Sequence, residues 1–415
     1  MKVYKFGGAS VKDADGVRNL LDIVRQTSGE LVVVVSAMGK TTNALERIVD
    51  TMLAGDRKGV DEQWKALLAY HTQIAEALGL TLKDVVAEEV LGAVPAHRSA
   101  SNANYDDLYD TIVSVGELIS TSIVAAFLNE QGIKTSLWHM PSLLITDGTF
   151  REAQVNMQAS AQQMQHAWHD PYRPRVVVAQ GFIGGTYNGH RTTLGREGSD
   201  YTAALIANFL GAESVTIWKD VPGILNADPR LVSDTVLIPE LNYFEAVELA
   251  YSGAQVIHPK TIRPLENKHI PLYVRPFMHP DEPGTIIKQS PTEPISTPVY
   301  IWRNEQVLIT MRAKDFSFVL EDSLTHIFEV IQKCRLKVSL IQSSAVTVSV
   351  CVDNARTIKK ALQMLSEQYA VTYNEHLSLL TIRGTTPELL IREQQGREIL
   401  LSQLTRRTAK FVIKP

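Results

Sequence analysis

Five short segments combine charged, hydroxyl and glycine residues in arrangements that could do chemistry. The first is Lys5-Phe6-Gly7-Gly8-Ala9-Ser10. An apolar strand ends at a lysine, two glycines turn, and Ser10 stands where a helix N-cap belongs. Glycines let the backbone approach a bound group, and the free N–H groups of a helix N-terminus favour anions, so this segment would suit a phosphate. Turns of this kind also occur in many α/β proteins that bind nothing there, so the segment alone decides little.

The second segment, Ser36-Ala37-Met38-Gly39-Lys40-Thr41-Thr42-Asn43, comes after the apolar run Leu31–Val35. Gly39-Lys40-Thr41 invites comparison with G-x-x-x-x-G-K-[ST], but the first glycine of that pattern would fall on Val34. No G-x-G-x-x-G is present, so dinucleotide binding has no support. What remains is a hydroxyl-rich loop at the C-terminal end of a buried strand, the edge where open α/β sheets bind ligands, or equally a helix cap supplied by Thr41 or Thr42. The third segment, Gly195-Arg196-Glu197-Gly198-Ser199-Asp200-Tyr201-Thr202, precedes Ala203, Ile206, Ala207 and Leu210 at helical core spacing, which puts Ser199 and Asp200 at a helix start. Asp there is often only a cap, although Arg196 and a glycine turn precede it. The fourth is the polar loop Trp218-Lys219-Asp220-Val221-Pro222-Gly223-Ile224 with Asn226-Ala227-Asp228-Pro229-Arg230, and the fifth is Gly253-Ala254-Gln255-Val256-Ile257-His258-Pro259-Lys260. His258, before a proline, reads as a packed or capping histidine. The chain shows no set of His, Cys and carboxylates at metal-ligand spacing and no G-x-S-x-G elbow.

The elements that must hold these segments alternate. Val3–Phe6 reads as strand, Val11–Arg25 as helix, Leu31–Val35 as strand and Thr42–Leu53 as helix, which implies a mainly parallel open sheet with helices on both faces. Asp61–Val94 is helix-rich, with Trp64, Leu67, Leu68, Ile74 and Leu78 near helical spacing, and reads as a scaffold or lid. A long helix spans Tyr105–Asn129; strand Val176–Ala179, a helix Tyr201–Phe209 ended by Gly211, and strand Ser214–Trp218 then resume the α/β rhythm. Lys288–Pro298 marks a boundary, its Gln289–Pro294 stretch being polar and proline-bearing. Beyond it, strands Val307–Met311 and Phe316–Leu320, helix Leu324–Cys334, strands Val338–Ile341 and Val346–Val352 and helix Thr357–Tyr369 predict a small antiparallel α+β sheet, and strand Leu377–Ile382, helix Pro387–Leu401 and strand Lys410–Ile413 a shorter echo.

Composition narrows the class. At about 150 residues per domain, 415 residues make two or three units, and 45% hydrophobic residues suit a folded chain. Lys and Arg number 41 against 45 Asp and Glu, a net charge of −4, so wholesale nucleic-acid binding is not expected. No apolar run approaches the roughly 18 residues of a membrane span, and the first residues carry no signal-peptide core. Two cysteines, Cys334 and Cys351, cannot build a disulfide framework, which points to buried thiols and a cytoplasmic location.

In this order the five segments resemble the aspartate kinases of the amino-acid-kinase superfamily. Lys5 to Val11 is similar to the family's K-F-G-G-[TS]-S-V opening, Ser36 to Asn43 to its S-A-M-G-x-T-T-N loop, and Gly195 to Ala203 to its G-R-G-G-S-D-Y-T-A stretch. Asp220 to Ile224 and Ala227 to Arg230 match D-V-P-G-I and A-D-P-R, while Val115-Gly116-Glu117-Leu118-Ile119-Ser120 matches the G-E-x-x-S helix. The resemblance covers residues 1 to about 290 and implies a catalytic domain over 1–290; the rest of the chain looks like ACT regulatory domains, one over 291–375 and an abbreviated one over 376–415. It implies transfer of a phosphoryl group from ATP to the side-chain carboxylate of L-aspartate. Lys5 with Gly7, Gly8 and Ser10 would hold the phosphates, and Asp200 would orient Lys5. Ser36, Thr42, Arg196 and Ser199 would bind substrate, Glu117 would pair with its α-amino group, and Lys219, Asp220, Asp228 and Arg230 would border the nucleotide. Mg²⁺ would bridge the ATP phosphates without a dedicated protein cage. A lysine or threonine effector and a homodimer or larger assembly are also expected, and no nucleic-acid or membrane partner.

Ala9, Glu197, Gln255 and Leu225 depart from the pattern, which usually has a hydroxyl residue, a glycine, a lysine and an aromatic there. Two other readings compete: a related amino-acid kinase acting, for example, on glutamate, and a non-catalytic amino-acid sensor.

Overall fold

The computed structural model describes residues 1–100, 103–254, 257–290, 297–314 and 321–414. The expected strand Phe316–Leu320, Gln255 and most of the expected linker, 291–296, lie outside the described residues. The chain divides into two compact units. The first comprises Met1–Ile224, Leu237–Ala250 and Gln255–Pro291, and the second Leu225–Val236, Tyr251–Ala254 and Thr292–Pro415.

The first unit is built on an eight-stranded sheet. Its strands are β1 (Lys2–Phe6), β2 (Leu31–Val35), β3 (Thr135–Trp138), β4 (Val176–Gln180), β7 (Ser214–Lys219), β8 (Glu240–Asn242), β9 (Leu272–Pro276) and β10 (Thr285–Lys288); β5 (Ile183–Gly185) and β6 (Arg191–Thr193) form a separate hairpin. The order is β3-β4-β2-β1-β7-β9-β10-β8, parallel except for the β9–β10 pair. Every residue of β2 and β4 is buried, because neighbouring strands and helices on both faces cover them. Lys5 pairs in register with Val34 and Ile217, so the loops after β1, β2 and β7 leave from one edge of the sheet.

Several local expectations change. The first helix is Ala14–Gln26, capped by Asp13, whose Oδ1 accepts from Gly16 N at 2.8 Å. Ser10 is therefore not the N-cap: its carbonyl lies where a Cβ on Gly16 would come within 2.1 Å, so it packs beneath the helix. Tyr105–Val113 and Val115–Glu130 are two helices joined at Ser114, and together they are long and apolar enough to cross a membrane. The expectation of no such stretch is corrected, but 83% of its apolar window is buried in the protein, as in a core helix. Pro387–Gln394 is a shorter helix than expected; Gly396 turns the chain at a φ of 72°, and a strand comes next.

The second unit holds a six-stranded antiparallel sheet formed by β11 (Val299–Ala313), β12 (Val338–Ser343), β13 (Thr347–Asp353), β14 (Tyr369–Arg383), β15 (Ile399–Leu404) and β16 (Thr408–Ile413), in the order β12-β13-β11-β14-β16-β15. β11 and β14, 15 residues each, pair along most of their length. The C-terminal part of β11, helix Glu321–Lys333, β12, β13, helix Ile358–Gln368 and the first part of β14 make a βαββαβ motif around Val307, Ile309, Ile331, Val350 and Leu365. The remaining strands and helix Pro387–Gln394 enclose a separate core of Leu380, Ile382, Leu389 and Phe411. This second core also has a fourth strand beyond those expected from the sequence: Val299–Arg303 of β11, paired with Leu379–Arg383.

Candidate active site

The loops after β1, β2, β4 and β7 converge at the C-terminal edge of the large sheet. Lys5 Nζ lies 2.6 Å from Asp200 Oδ1, and Lys219 Nζ lies 3.7 Å from Asp200 Oδ2. Asp200 stands in the first turn of helix Gly198–Leu210 and is only 2% exposed. Burial would raise its pKa, but the Lys5 and Lys219 ammoniums outweigh that and hold the carboxyl below its ordinary value. The result is two cations around one buried anion, with a net positive charge to offer an anionic ligand.

Two glycines shape the space beside it. A Cβ on Gly7 would lie 3.5 Å from Lys5 Nζ, so the ammonium rests close over the bare backbone. Gly8 O accepts from Gly39 N at 2.9 Å, joining the first loop to the second. A Cβ on Gly8 would lie 2.5 Å from Ala37 O and 3.0 Å from Gly39 O, both backbone atoms that cannot swing aside. Gly8→Ala is expected to cost about 1–3 kcal/mol of stability and to lower catalytic efficiency about tenfold or more as the loops part, measured by thermal unfolding and steady-state kinetics.

Glu117, in the first turn of Val115–Glu130, supplies the second feature. It is 2% exposed, and Oε1 accepts from Ala37 N at 3.1 Å while Oε2 has no partner. Burial pushes its carboxyl up to about 8, against the Ala37 hydrogen bond and the charge of Lys5. A buried carboxylate oxygen without a donor is costly and fits a cationic ligand group. The carbonyl of Ser36 accepts from Ser120 Oγ at 2.9 Å, fixing the second loop to the same helix. Ser199 packs against Gly181, where a Cβ would come within 2.5 Å of its side chain, so the β4 loop touches the start of the Asp200 helix.

Arg196 is exposed and has no ion-pair partner among the described residues. Glu197 beside it has a φ of 53° and a buried Oε2 with no partner. The left-handed backbone explains why a glycine suits this position. Glu197→Gly is expected to raise stability by up to about 1 kcal/mol and to leave turnover within about twofold, read by unfolding and kinetics. Thr42 is half-buried in the first turn of helix Thr41–Leu53, whose N-cap, Lys40, makes no side-chain cap bond. Neither threonine caps the helix; Thr41 Oγ1 instead meets His71 Nε2 at 3.3 Å. Asp220 is exposed at the end of β7. Asp228 and Arg230 lie in the Leu225–Val236 segment of the second unit and pair with each other at 2.6 Å. His258 caps helix Pro259–Glu266 by accepting from Lys260 N at 3.1 Å. Among the described residues no three His, Cys, Asp or Glu side chains gather as a metal cage.

Sequence reasoning missed Tyr70 and His71. Helix Arg57–Ala77, read as scaffold, brings Tyr70 OH to Lys12 O beside the first loop and His71 to Thr41 of the second. His71 Nδ1 faces Leu67 O at 2.9 Å and must donate, which leaves Nε2 to accept from Thr41; burial lowers the imidazole pKa to about 4, so the ring is neutral. A histidine at a fully buried helical position was the one available signal.

Comparison with known proteins agrees with this geometry. Residues 1–276 match the amino acid kinase family. Lysine-sensitive aspartokinase 3 of Escherichia coli is 32% identical over 394 residues, covering 92% of this chain and 86% of that protein. The chloroplastic aspartokinase 1 of Arabidopsis thaliana is 30% identical over 97% of this chain and 72% of its own. The crystal structure of E. coli aspartokinase III with aspartate and ADP superposes with a TM-score of 0.84 at 29% identity, over 100% of this chain and 96% of that one; its complex with lysine and aspartate gives 0.82 over the same shares. The chain belongs to the amino acid kinase family and, within it, to the aspartokinases.

Proposed function

We propose that this chain transfers the γ-phosphoryl group of ATP to the side-chain carboxylate of L-aspartate, giving 4-phospho-L-aspartate and ADP. One observation carries the reading: the Lys5–Asp200–Lys219 cluster shares a sheet edge with the loop that Glu117 grips through its other carboxylate oxygen, leaving Oε2 unpaired. A side-chain carboxylate oxygen attacks the γ-phosphorus, the bond from that phosphorus to the β-bridging oxygen breaks, and ADP leaves with the electron pair. The attacking group is already an anion, so no base has to remove a proton. The protein's part is to position two anions and neutralise their charge.

Lys5 neutralises the equatorial oxygens of the transferring group. Gly7 and Gly8 let the backbone approach it, and Asp200 fixes the direction of the Lys5 ammonium. Glu117 takes the α-ammonium of aspartate, and Arg196, Ser199, Ser36 and Thr42 take its carboxylates. Lys219 and Asp220 border the nucleotide. Mg²⁺ bound with the nucleotide would supply further charge neutralisation on the phosphates.

The second unit reads as regulatory, with two ACT-like modules, one built on the βαββαβ motif and the other on residues 376–414 completed by Val299–Arg303. Its βαββαβ motif, in which the strands lie in the order second, third, first, fourth, supports this. Lysine is the effector to try first, since the related E. coli enzyme is named lysine-sensitive. Among the described residues β12 and β15 are the outermost strands of the sheet, and side-by-side pairing of such strands would join two copies into a dimer or larger assembly. Two free, buried cysteines suit a cytoplasmic location.

ADP release from Mg-ATP, compared with aspartate, glutamate or neither, tests the substrate. Release dependent on aspartate supports the proposal, and release dependent on glutamate alone would replace it with the sibling activity.

A further inference from the structure

The Gly195–Glu197 turn that carries Arg196 stands between β6 and the Asp200 helix. β6 is three residues long and, among the described residues, its strand partner is the three-residue β5, apart from the large sheet; Thr193 O also accepts from Ala153 N at 3.0 Å. Such a hairpin has little rigidity of its own, yet Arg196 has to meet a small dicarboxylate at a fixed distance from Glu117.

One buried side chain spans that gap. Asp110, in the last turn of helix Tyr105–Val113, is fully buried. Its Oδ1 accepts from Thr193 Oγ1 at 2.7 Å, and its Oδ2 accepts from Thr193 N at 2.8 Å and from Arg151 N at 3.0 Å. Thr193 is the last residue of β6, two before Gly195. Arg151 reaches the same turn from the other side: a Cβ on Gly195 would lie 3.1 Å from Arg151 O. Arg151 is itself clamped, with a φ of 69° and its guanidinium over the Tyr105 and Tyr109 rings at 5.2 and 4.7 Å. On the opposite side, Asp110 O accepts from Ser114 N at 3.3 Å, and Ser114 joins directly to the helix that carries Glu117.

We infer that Asp110 is a positioning residue for the amino-acid substrate: by tying Thr193 and Arg151 to the Glu117-bearing helix, it fixes the distance between the group that binds the α-ammonium and the turn that binds a carboxylate. The inference rests on the proposed reading of the site as an aspartate site. Thr193 N and Arg151 N can only donate and both rest on Oδ2, so a side chain without that oxygen, as in Asp110→Ala, releases both segments, whereas an amide could keep its carbonyl oxygen on them and turn its NH₂ to the Thr193 hydroxyl, which can accept.

Steady-state kinetics of the full chain test this with Asp110→Ala, Thr193→Val and Thr193→Ser, varying aspartate and ATP separately. Asp110→Ala and Thr193→Val are expected to raise KM for aspartate about tenfold, with kcat and KM for ATP within about threefold of wild type. Thr193→Ser, which keeps the hydroxyl, is expected to restore the wild-type KM. If Asp110→Ala does not fold, the threonine pair carries the same comparison. An unchanged KM for aspartate in an active Thr193→Val, or equal losses for both substrates, would overturn the positioning role alone. A wild-type chain that turns over no aspartate would overturn the reading of the site as well.

Discussion

Lys5→Ala is expected to lower kcat by about 10²- to 10³-fold while changing KM for aspartate little, because the ammonium meets charge that develops as the phosphoryl group transfers. The same substitution also leaves Asp200 buried with only Lys219, 3.7 Å away, as a cation. Stability should fall too, since an uncompensated buried carboxylate is costly. Asp200 is held below its ordinary value of 3.8, so the pair's contribution is present above that pH and is lost as the pH drops below it. The double variant Lys5→Met with Asp200→Asn separates the two roles: it should recover much of the stability at pH 7 and none of the activity. Recovery of turnover in the double variant would show that Lys5 acts only by pairing with Asp200.

Glu117→Gln is expected to move stability and activity in opposite directions. In the free protein the carboxyl stands at about 8 against an ordinary 4.5. Its contribution to stability is therefore fully present below pH 4.5 and is lost as the pH rises toward 8. Glutamine carries no such cost, so the variant should match wild type at pH 4.5 and exceed it in thermal stability at pH 8. Aspartate binding should suffer, because the ammonium loses a charged acceptor whose hydrogen bond is worth about 1.5–3 kcal/mol, or roughly a 10- to 150-fold rise in KM. Binding an ammonium to wild type also drives the proton off Glu117. KM for aspartate should fall between pH 6 and 8 in wild type and change much less in Glu117→Gln. A KM that the substitution leaves alone would remove Glu117 from the substrate site.

Much of the site was legible because its segments are local. Lys5, Gly7 and Gly8 sit in one turn, and Ser199 and Asp200 open a helix whose apolar spacing shows where it begins. The parallel sheet was equally readable from the all-apolar run Leu31–Val35, which only a strand covered on both faces can carry. What stayed hidden depends on residues far apart in the chain. Tyr70 and His71 act through loops 58 and 30 residues earlier, Asp110 acts on Thr193 from 83 residues away, and Val299–Arg303 becomes a strand only by pairing with β14. None of these partners shares a period or a motif with the other. Ser10 was misplaced for a simpler reason: a serine after two glycines has the look of a cap, but the chain takes one more turn and Asp13 does the capping.

Hydroxylamine trapping tests the central claim most directly. The acyl phosphate formed on a side-chain carboxylate reacts with hydroxylamine to give the corresponding hydroxamate, whose identity reports both the acceptor and the carboxyl group phosphorylated. With Mg-ATP and L-aspartate, the wild-type chain should yield the side-chain aspartyl hydroxamate in step with ADP, and Lys5→Ala should yield almost none. A folded wild-type chain that forms no aspartyl hydroxamate, or forms one only at the α-carboxyl, would contradict the account.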